Sequence, residues 1–397
     1  MVGNEASAQP GHDARGLLDG GDAVLRVVDG IEVQSHSGAI EALGHGWGTI
    51  GRVTTLLPPL LDALAGLRPA TLPIWFMRQA GRSLPEYRAV RSGTAMLESC
   101  LIPELASEIT LQPVRRHRVD AAIFFSDIMV PLKLAGVGVD IQPGIGPVMD
   151  APVRTASDVA ALVEHRLAGT GPITEAIRLI TAELATTPSG DAPWTPLIGF
   201  AGAPFTLAAY LVEGRPSRDH LAARTLMHAD PESWDRLLSW CAEVSGEFLR
   251  LQVDAGASAV QLFDSWAGSL TRADYATHVA PHSRRALAAV EGRVPRIHFG
   301  TGTGHLLEEL AVGADAVGVD YRTPLDEAIP RVGGRPVQGN IDPALLAAPW
   351  DVLEAHVRDV VRRGAGAPGH VVNLGHGVPP DTDPAVLTRV VALVHSL

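Results

Sequence analysis

The stretch AVQLFDSWAGSLTRADYATHVAPHSRRALAAVEGRVPRIHFG, residues 259–300, holds one full repeat of the chain's organisation. An apolar run of strand length, AVQLFDSW (259–266), leads into an amphipathic segment, TRADYATHVAPHSRRALAAVEG (271–292), and then into a second apolar run, VPRIHFG (294–300). Apolar residues in the middle segment recur at three- and four-residue intervals, the period of a helix that buries one face. Strand, helix, strand is the unit of a parallel sheet, because parallel neighbours need a crossover long enough to hold a helix.

The same alternation extends in both directions. Six further runs of strand length are LPIWFM (72–77), AAIFFSDI (121–128), PLIGFAG (196–202), ADAVGVD (314–320), RPVQGN (335–340) and HVVNLGHG (370–377). Helix-like segments lie between them, among them PELASEITLQPVRRH, DPESWDRLLSWCAEVSGEFLRLQVDAG and DPALLAAPWDVLEAHVRDVVRRG. Eight runs in this alternation predict an α/β fold, a single (β/α)8 TIM-type barrel over residues 53–397. A doubly wound open sheet is the rival, but no G-x-G-x-x-G fingerprint follows the first run. Residues 1–52 are rich in Gly, Asp, Ala and His, carry no motif, and are predicted to form a weakly ordered, disordered N-terminal extension.

Hydrophobic residues make up 46% of the chain, enough for a large core. A formal charge of −12 argues against a nucleic-acid or anionic-membrane partner, since both need a broad positive face. Cys100 and Cys241 are too few for a disulfide framework or a thiolate-rich metal site. No apolar run reaches the roughly 18 to 20 residues of a membrane span, and the start lacks a secretory pattern. Together these features predict a cytoplasmic protein.

In barrels of this type the active site lies at the carboxyl ends of the strands. Polar residues gather there: Arg78 and Arg82, Asp127, Asp264 and Ser265, His298 and Thr301, Asp320 and Tyr321, Asn340 and Asp342, and His376. Singly, each has a structural reading: Asp127 and Asp320 as helix caps, Asp264 with Ser265 as a turn, His376 as a loop histidine. Their convergence on one cavity is what points to function. The arginines are the sharpest signal. In PIWFMRQAGRSLPEYR (73–88) they adjoin a buried run and flank Gly81, and their planar forks of donors suit carboxylate or phosphate. The segment is built to hold anions.

PIWFMRQAGRSLPEYR closely resembles the first signature of the uroporphyrinogen decarboxylase family, and GFAGAPFTLAAYLVEG (199–214) resembles the second. FFSDIMVP (124–131), QLFDSWAG (261–268), VQGNIDP (337–343) and NLGHGVPP (373–380) follow in the family order, so the resemblance covers roughly Leu56 to Leu397. It implies a homodimeric barrel, with no metal and no organic cofactor, that removes carbon dioxide from the four acetate side chains of uroporphyrinogen III. The product would be coproporphyrinogen III, in haem biosynthesis. Carried over by position, Arg78, Gln79, Ala80, Gly81, Arg82, Asp127, Tyr210, Ser265 and His376 match substrate-contacting positions. The resemblance makes Asp127 the central catalytic carboxylate, and Arg78, Tyr210 and His376 join it as candidate catalytic residues. Ser83 departs from the tyrosine usual in the first signature, and PPDTDPAV after His376 departs from the usual continuation.

Two other readings are tested by the structure and by experiment. A corrinoid-related methyltransferase would share the barrel but need a close His/Cys set for zinc. A porphyrinogen carrier would keep the arginines and release no carbon dioxide.

Overall fold

The computed structural model describes residues 57–190, 192 and 194–397, so the predicted extension over residues 1–52 lies outside the described residues. Seven strands form one parallel sheet in sequential order: β1 (Ala122–Ile123), β2 (Leu197–Gly202), β3 (Ala259–Asp264), β4 (Arg296–Gly300), β5 (Ala316–Gly318), β6 (Val337–Gln338) and β7 (His370–Val371). These correspond to the last seven of the eight runs. Strands β1, β2 and β4 to β7 are buried along their length, and β3 everywhere but at Phe263, which is why they read as continuous apolar runs and not as alternating ones. A separate antiparallel hairpin pairs Val139–Gln142 with Gly146–Met149.

The first run behaves differently. Ile74 makes a single parallel bridge to Val372, just beyond β7, and the Ile74 carbonyl accepts from Asp120 N–H at 2.8 Å, just before β1. The sheet is therefore curled. Residues 72–77 do not form a strand because side chains intercept their backbone donors. Ile74 N–H donates to the Asp120 carboxylate (2.8 Å), Phe76 N–H to the Gln79 amide (3.0 Å) and Met77 N–H to the Asn373 amide (3.0 Å). The same Asp120 oxygen receives His395 Nε2 at 2.7 Å. Only Trp75 N–H pairs with backbone, at the Val372 carbonyl (3.3 Å); the other three donors are satisfied by side chains and not by a ladder.

Helices α1 (Pro103–His117), α2 (Gly171–Leu184), α3 (Pro204–Glu213), α4 (Leu221–Ala229), α5 (Pro231–Ala255), α6 (Arg272–His278), α7 (Ala280–Ala288), α8 (Trp350–Gly364) and α9 (Pro384–His395) are the principal ones. The longest, α5, starts where Asp230 accepts from Ser233 N–H with Pro231 in the first turn, and stops at Gly256, whose φ of +123° suits glycine. Its Gln252 amide brackets Phe200 in β2, accepting from the N–H and donating to the carbonyl at 2.9 and 2.8 Å.

Two segments read as continuous helices are broken. Residues 271–292 split at Val279 (φ −128°) into α6 and α7, because Pro281 in the first turn of α7 has no N–H to continue the α6 ladder. Residues 342–364 begin as a short 3-10 turn (Pro343–Ala347), and Pro349 holds Ala348 extended before α8 starts.

Candidate active site

The loop after Met77 is fixed by a side chain inside it. Gln79 is fully buried; its amide oxygen accepts from Phe76 N–H and its amide nitrogen donates to the Ala121 carbonyl at 3.0 Å. Both ends are engaged, so Gln79 holds the loop against the chain leading into β1. Arg78 then adopts a left-handed backbone (φ 62°), an arrangement that costs a non-glycine residue about 1–2 kcal/mol. Gly81 is required beside it, since a Cβ there would stand 2.9 Å from the Arg78 carbonyl. Ala80 and Gly81 are partly exposed, and Arg82 is exposed with its carbonyl accepting from Arg88 Nη1.

The side chain of Arg78 lies across Gly377, occupying the space a Cβ at that position would need. Val378 N–H donates to the Met77 carbonyl at 2.8 Å, tying this loop to the His376 loop. His376 follows β7 and is partly exposed; burial, then the positive charges of Arg78 and Arg322, push its imidazole below the ordinary range, with Asp320 opposing.

Asp127 follows β1. Its Oδ1 accepts from Met129 N–H at 2.8 Å, and it accepts no other hydrogen bond among the described residues. Burial pushes its carboxyl above the usual range, while the Met129 N–H and the charge of Arg78 act against that rise. Tyr210, on α3, is pushed up by burial and by the negative charge of Asp127, again against Arg78. Asp127, Tyr210 and His376, from three segments, therefore all lie in the field of Arg78. Tyr210 stacks on Trp266 with ring centroids 3.7 Å apart, and partly exposed Ser265 adjoins that indole at the end of β3.

The remaining polar residues at strand ends are structural. Asp264 is fully buried, accepting from Thr206 (2.9 Å) and Tyr275 (3.0 Å), with burial pushing its carboxyl up to about 6. Thr206 also accepts from Trp266 N–H, so this network fixes α3 and the indole beneath Tyr210. His298 is buried against the Leu310 carbonyl. Asn340 donates to the Asp320 and Thr323 carbonyls, and Asp342 caps Ala344. Asp320 accepts from Gly302 N–H and from the Arg322 backbone and guanidinium. Asp264 and Asp320 are engaged by side chains, whereas Asp127 and Asp342 each accept only from a backbone N–H among the described residues, and of these two Asp127 lies in the field of Arg78.

Three arginines escape the sequence reading. A cavity of about 710 Å³ is lined by Arg82, Tyr87, Arg88 and Arg91, among others, but not by Asp127. Its Tyr87 wall meets Phe125 edge to face, two residues before Asp127. Arg322 lies on the His376 side, with its side chain 52% exposed and 2.6 Å from buried Asp320. For Arg88 and Arg91 the signal is the continued arginine spacing in LPEYRAVR; for Arg322 no local pattern announces it. Cys100 and Cys241 are buried, burial raises both thiols, and neither stands in a group of metal-ligating side chains among the described residues.

The family model described as uroporphyrinogen decarboxylase (URO-D) matches residues 55–397. A protein of Arthrobacter sp. (strain FB24) named uroporphyrinogen decarboxylase is 68% identical over 85% of this chain and 97% of its own length. One of the same name from Leifsonia xyli subsp. xyli (strain CTCB07) is 61% identical over 85% of this chain and 93% of its own. Among solved structures, a methyltransferase from Methanosarcina mazei superposes with a TM-score of 0.68 at 18% identity, covering 85% of this chain and 97% of that one. At that identity the likeness concerns the fold alone.

Proposed function

The chain belongs to the uroporphyrinogen decarboxylase family, and from that premise we propose how its own residues carry out decarboxylation in porphyrin biosynthesis. The substrate is uroporphyrinogen III, and its four acetate side chains become the methyl groups of coproporphyrinogen III. The observation that carries this reading is the setting of Asp127. Its carboxylate accepts only from Met129 N–H among the described residues, and it stands in the field of Arg78 and next to a phenol.

Each acetate loses carbon dioxide in three steps. Protonation of a pyrrole ring carbon makes a cation. The electrons of the bond to the carboxylate then flow into that cation, releasing carbon dioxide and leaving an exocyclic methylene. The methylene takes up a proton to become methyl while the ring proton is lost. Ionised Asp127 accepts hydrogen bonds from pyrrole N–H groups, which become more acidic in the cation, so the stabilisation grows as the barrier is climbed. Tyr210, kept a neutral phenol by burial and by Asp127, orients that carboxylate. His376 is neutral near pH 7 because its imidazole is pushed down, which favours a bound water as the proton donor, while Arg78 acts through its charge on Asp127.

Carboxylates of the substrate meet guanidinium groups on two sides: Arg82, Arg88 and Arg91 at the cavity, Arg322 beyond His376. Ser265 and His376 hold further substrate carboxylates. This arc answers how a chain of charge −12 takes an octacarboxylate. We further take residues 72–77 as the eighth member that closes a (β/α)8 barrel, on the strength of the Ile74 bridge and the Asp120 contact. The assembly is a homodimer in the cytoplasm; no helix of the described residues is long and apolar enough to cross a membrane.

The test is anaerobic incubation of the purified chain with uroporphyrinogen III, then oxidation and separation of products by carboxylate number. Stepwise loss to the tetracarboxylate supports the reading. Tight binding without release of carbon dioxide makes the protein a carrier instead.

A further inference from the structure

Two helices that run back from the site wall bring three metal-ligating side chains together. His228 lies near the end of α4, and Asp274 and His278 lie four residues apart on α6, so they share one face of that helix. One ligand atom from each falls within 4.8 Å of the other two. His228 Nε2 stands 3.6 Å from Asp274 Oδ1, and the two imidazole rings meet edge to face with centroids 5.9 Å apart. Donors on a tetrahedral ion at about 2.0–2.1 Å are separated by roughly 3.3–3.5 Å, so this spacing needs only small side-chain rotations.

We propose that His228, Asp274 and His278 form a binding site for one divalent transition ion, zinc foremost. Two imidazoles and one carboxylate are a donor set suited to zinc, cobalt(II) or nickel, and poor in the oxygens that calcium and magnesium require. The surrounding groups already orient the ligands. Asp274 Oδ2 accepts from the Thr271 hydroxyl at 2.9 Å, which leaves Oδ1 facing His228. The His278 carbonyl accepts from the Trp234 indole at 3.3 Å, holding the end of α6 against α5. Outer contacts of this kind set the direction of a ligand before the ion arrives. His228 is exposed, so a solvent molecule can complete the coordination.

The site's position gives it a consequence. Helix α4 begins directly after His220, and α6 begins a few residues after Trp266; the rings of His220 and Trp266 face each other at 4.3 Å. Trp266 in turn supports Tyr210 at 3.7 Å. An ion shared by α4 and α6 fastens together the two segments that carry this aromatic wall. The inference is independent of the decarboxylation reading, because it concerns metal alone.

The full chain, stripped of metal, is titrated with zinc by calorimetry and with cobalt(II) by visible absorption at pH 7.5. The expected result is one ion per chain, with a tetrahedral cobalt(II) spectrum and a raised Tm. His228→Ala and Asp274→Asn each weaken binding by at least about 30-fold and abolish the Tm shift, and Thr271→Val weakens it about 10-fold through the lost outer contact. His228→Ala removes an exposed side chain, so that variant reports even where Asp274→Asn disturbs α6. Zinc binding unchanged in His228→Ala, or no saturable binding by the unsubstituted chain at millimolar zinc, overturns the proposal.

Discussion

Replacing Asp127 by asparagine separates its chemistry from its place in the fold. Asn has the same shape, and its side-chain oxygen can keep the 2.8 Å hydrogen bond from Met129 N–H. That leaves the amide NH2 facing the substrate, where a donor now meets donating pyrrole N–H groups. Two charge-assisted hydrogen bonds to the developing cation are lost, at about 1.5–3 kcal/mol each. The sum, about 3–6 kcal/mol, corresponds to a fall in kcat of roughly 10²- to 10⁴-fold. Stability should move the other way. The Asp127 carboxyl is pushed above its ordinary pKa by burial, so at neutral pH its charged form opposes folding, and a neutral amide relieves that cost. The assay is the product separation described above, run beside a urea melt of both proteins. Near-full turnover in Asp127→Asn would refute the central role of the carboxylate. A large drop in melting midpoint would mean that the lost activity reports unfolding.

Three further outcomes follow from the geometry. Gly377→Ala should keep the fold, since the obstructing group is the flexible side chain of Arg78, yet displace that guanidinium and lower kcat/KM by about tenfold or more; unchanged kinetics would show that Arg78 is not held there. Arg322→Gln should raise KM a few-fold with kcat preserved, and reduce the salt dependence of KM, as expected for one exposed carboxylate contact of about 1 kcal/mol; an unchanged KM removes Arg322 from the binding arc. Stability should fall as pH drops from about 6.5 to about 4. Burial pushes His117, His298 and His370 down to about 4, so the unfolded chain binds their protons first, at about 3 kcal/mol each. Asp264, pushed up to about 6, works in the opposite direction by about 3 kcal/mol over the lower part of that window, leaving a net loss. Urea midpoints that rise steadily on acidification would contradict this.

Local pattern carried most of the architecture. Seven of eight apolar runs are strands of the sheet, α1 begins at Pro103, and α5 begins and ends where Asp230 and Gly256 place it. The breaks at Val279 and Ala348 were hidden because hydrophobic periodicity continues across them, although Pro281 and Pro349 were in plain sight. The first run could not be read as an interrupted strand, because the side chains that take its N–H groups stand 46 and 296 residues away at Asp120 and Asn373. Within the site, Arg78 and Asp127 could be named from adjoining residues. That Asp264 is bound up in buried partners while Asp127 is not depends on contacts to Thr206 on α3 and Tyr275 on α6, which no spacing along the chain expresses. Arg322 was invisible for the same reason.

The contact between Asp120 and His395 reaches further than its own residues. His395 is the third residue from the end, and it shares one carboxylate oxygen with the N–H of Ile74. The tail is thus a bolt across the seam between the first run and β1. A chain shortened by a single turn of α9 would lose that bolt and leave Asp120 buried with half its partners. Since Ile74 leads directly to the Arg78 loop, tampering with the extreme carboxyl terminus would be felt in how substrate carboxylates are gripped.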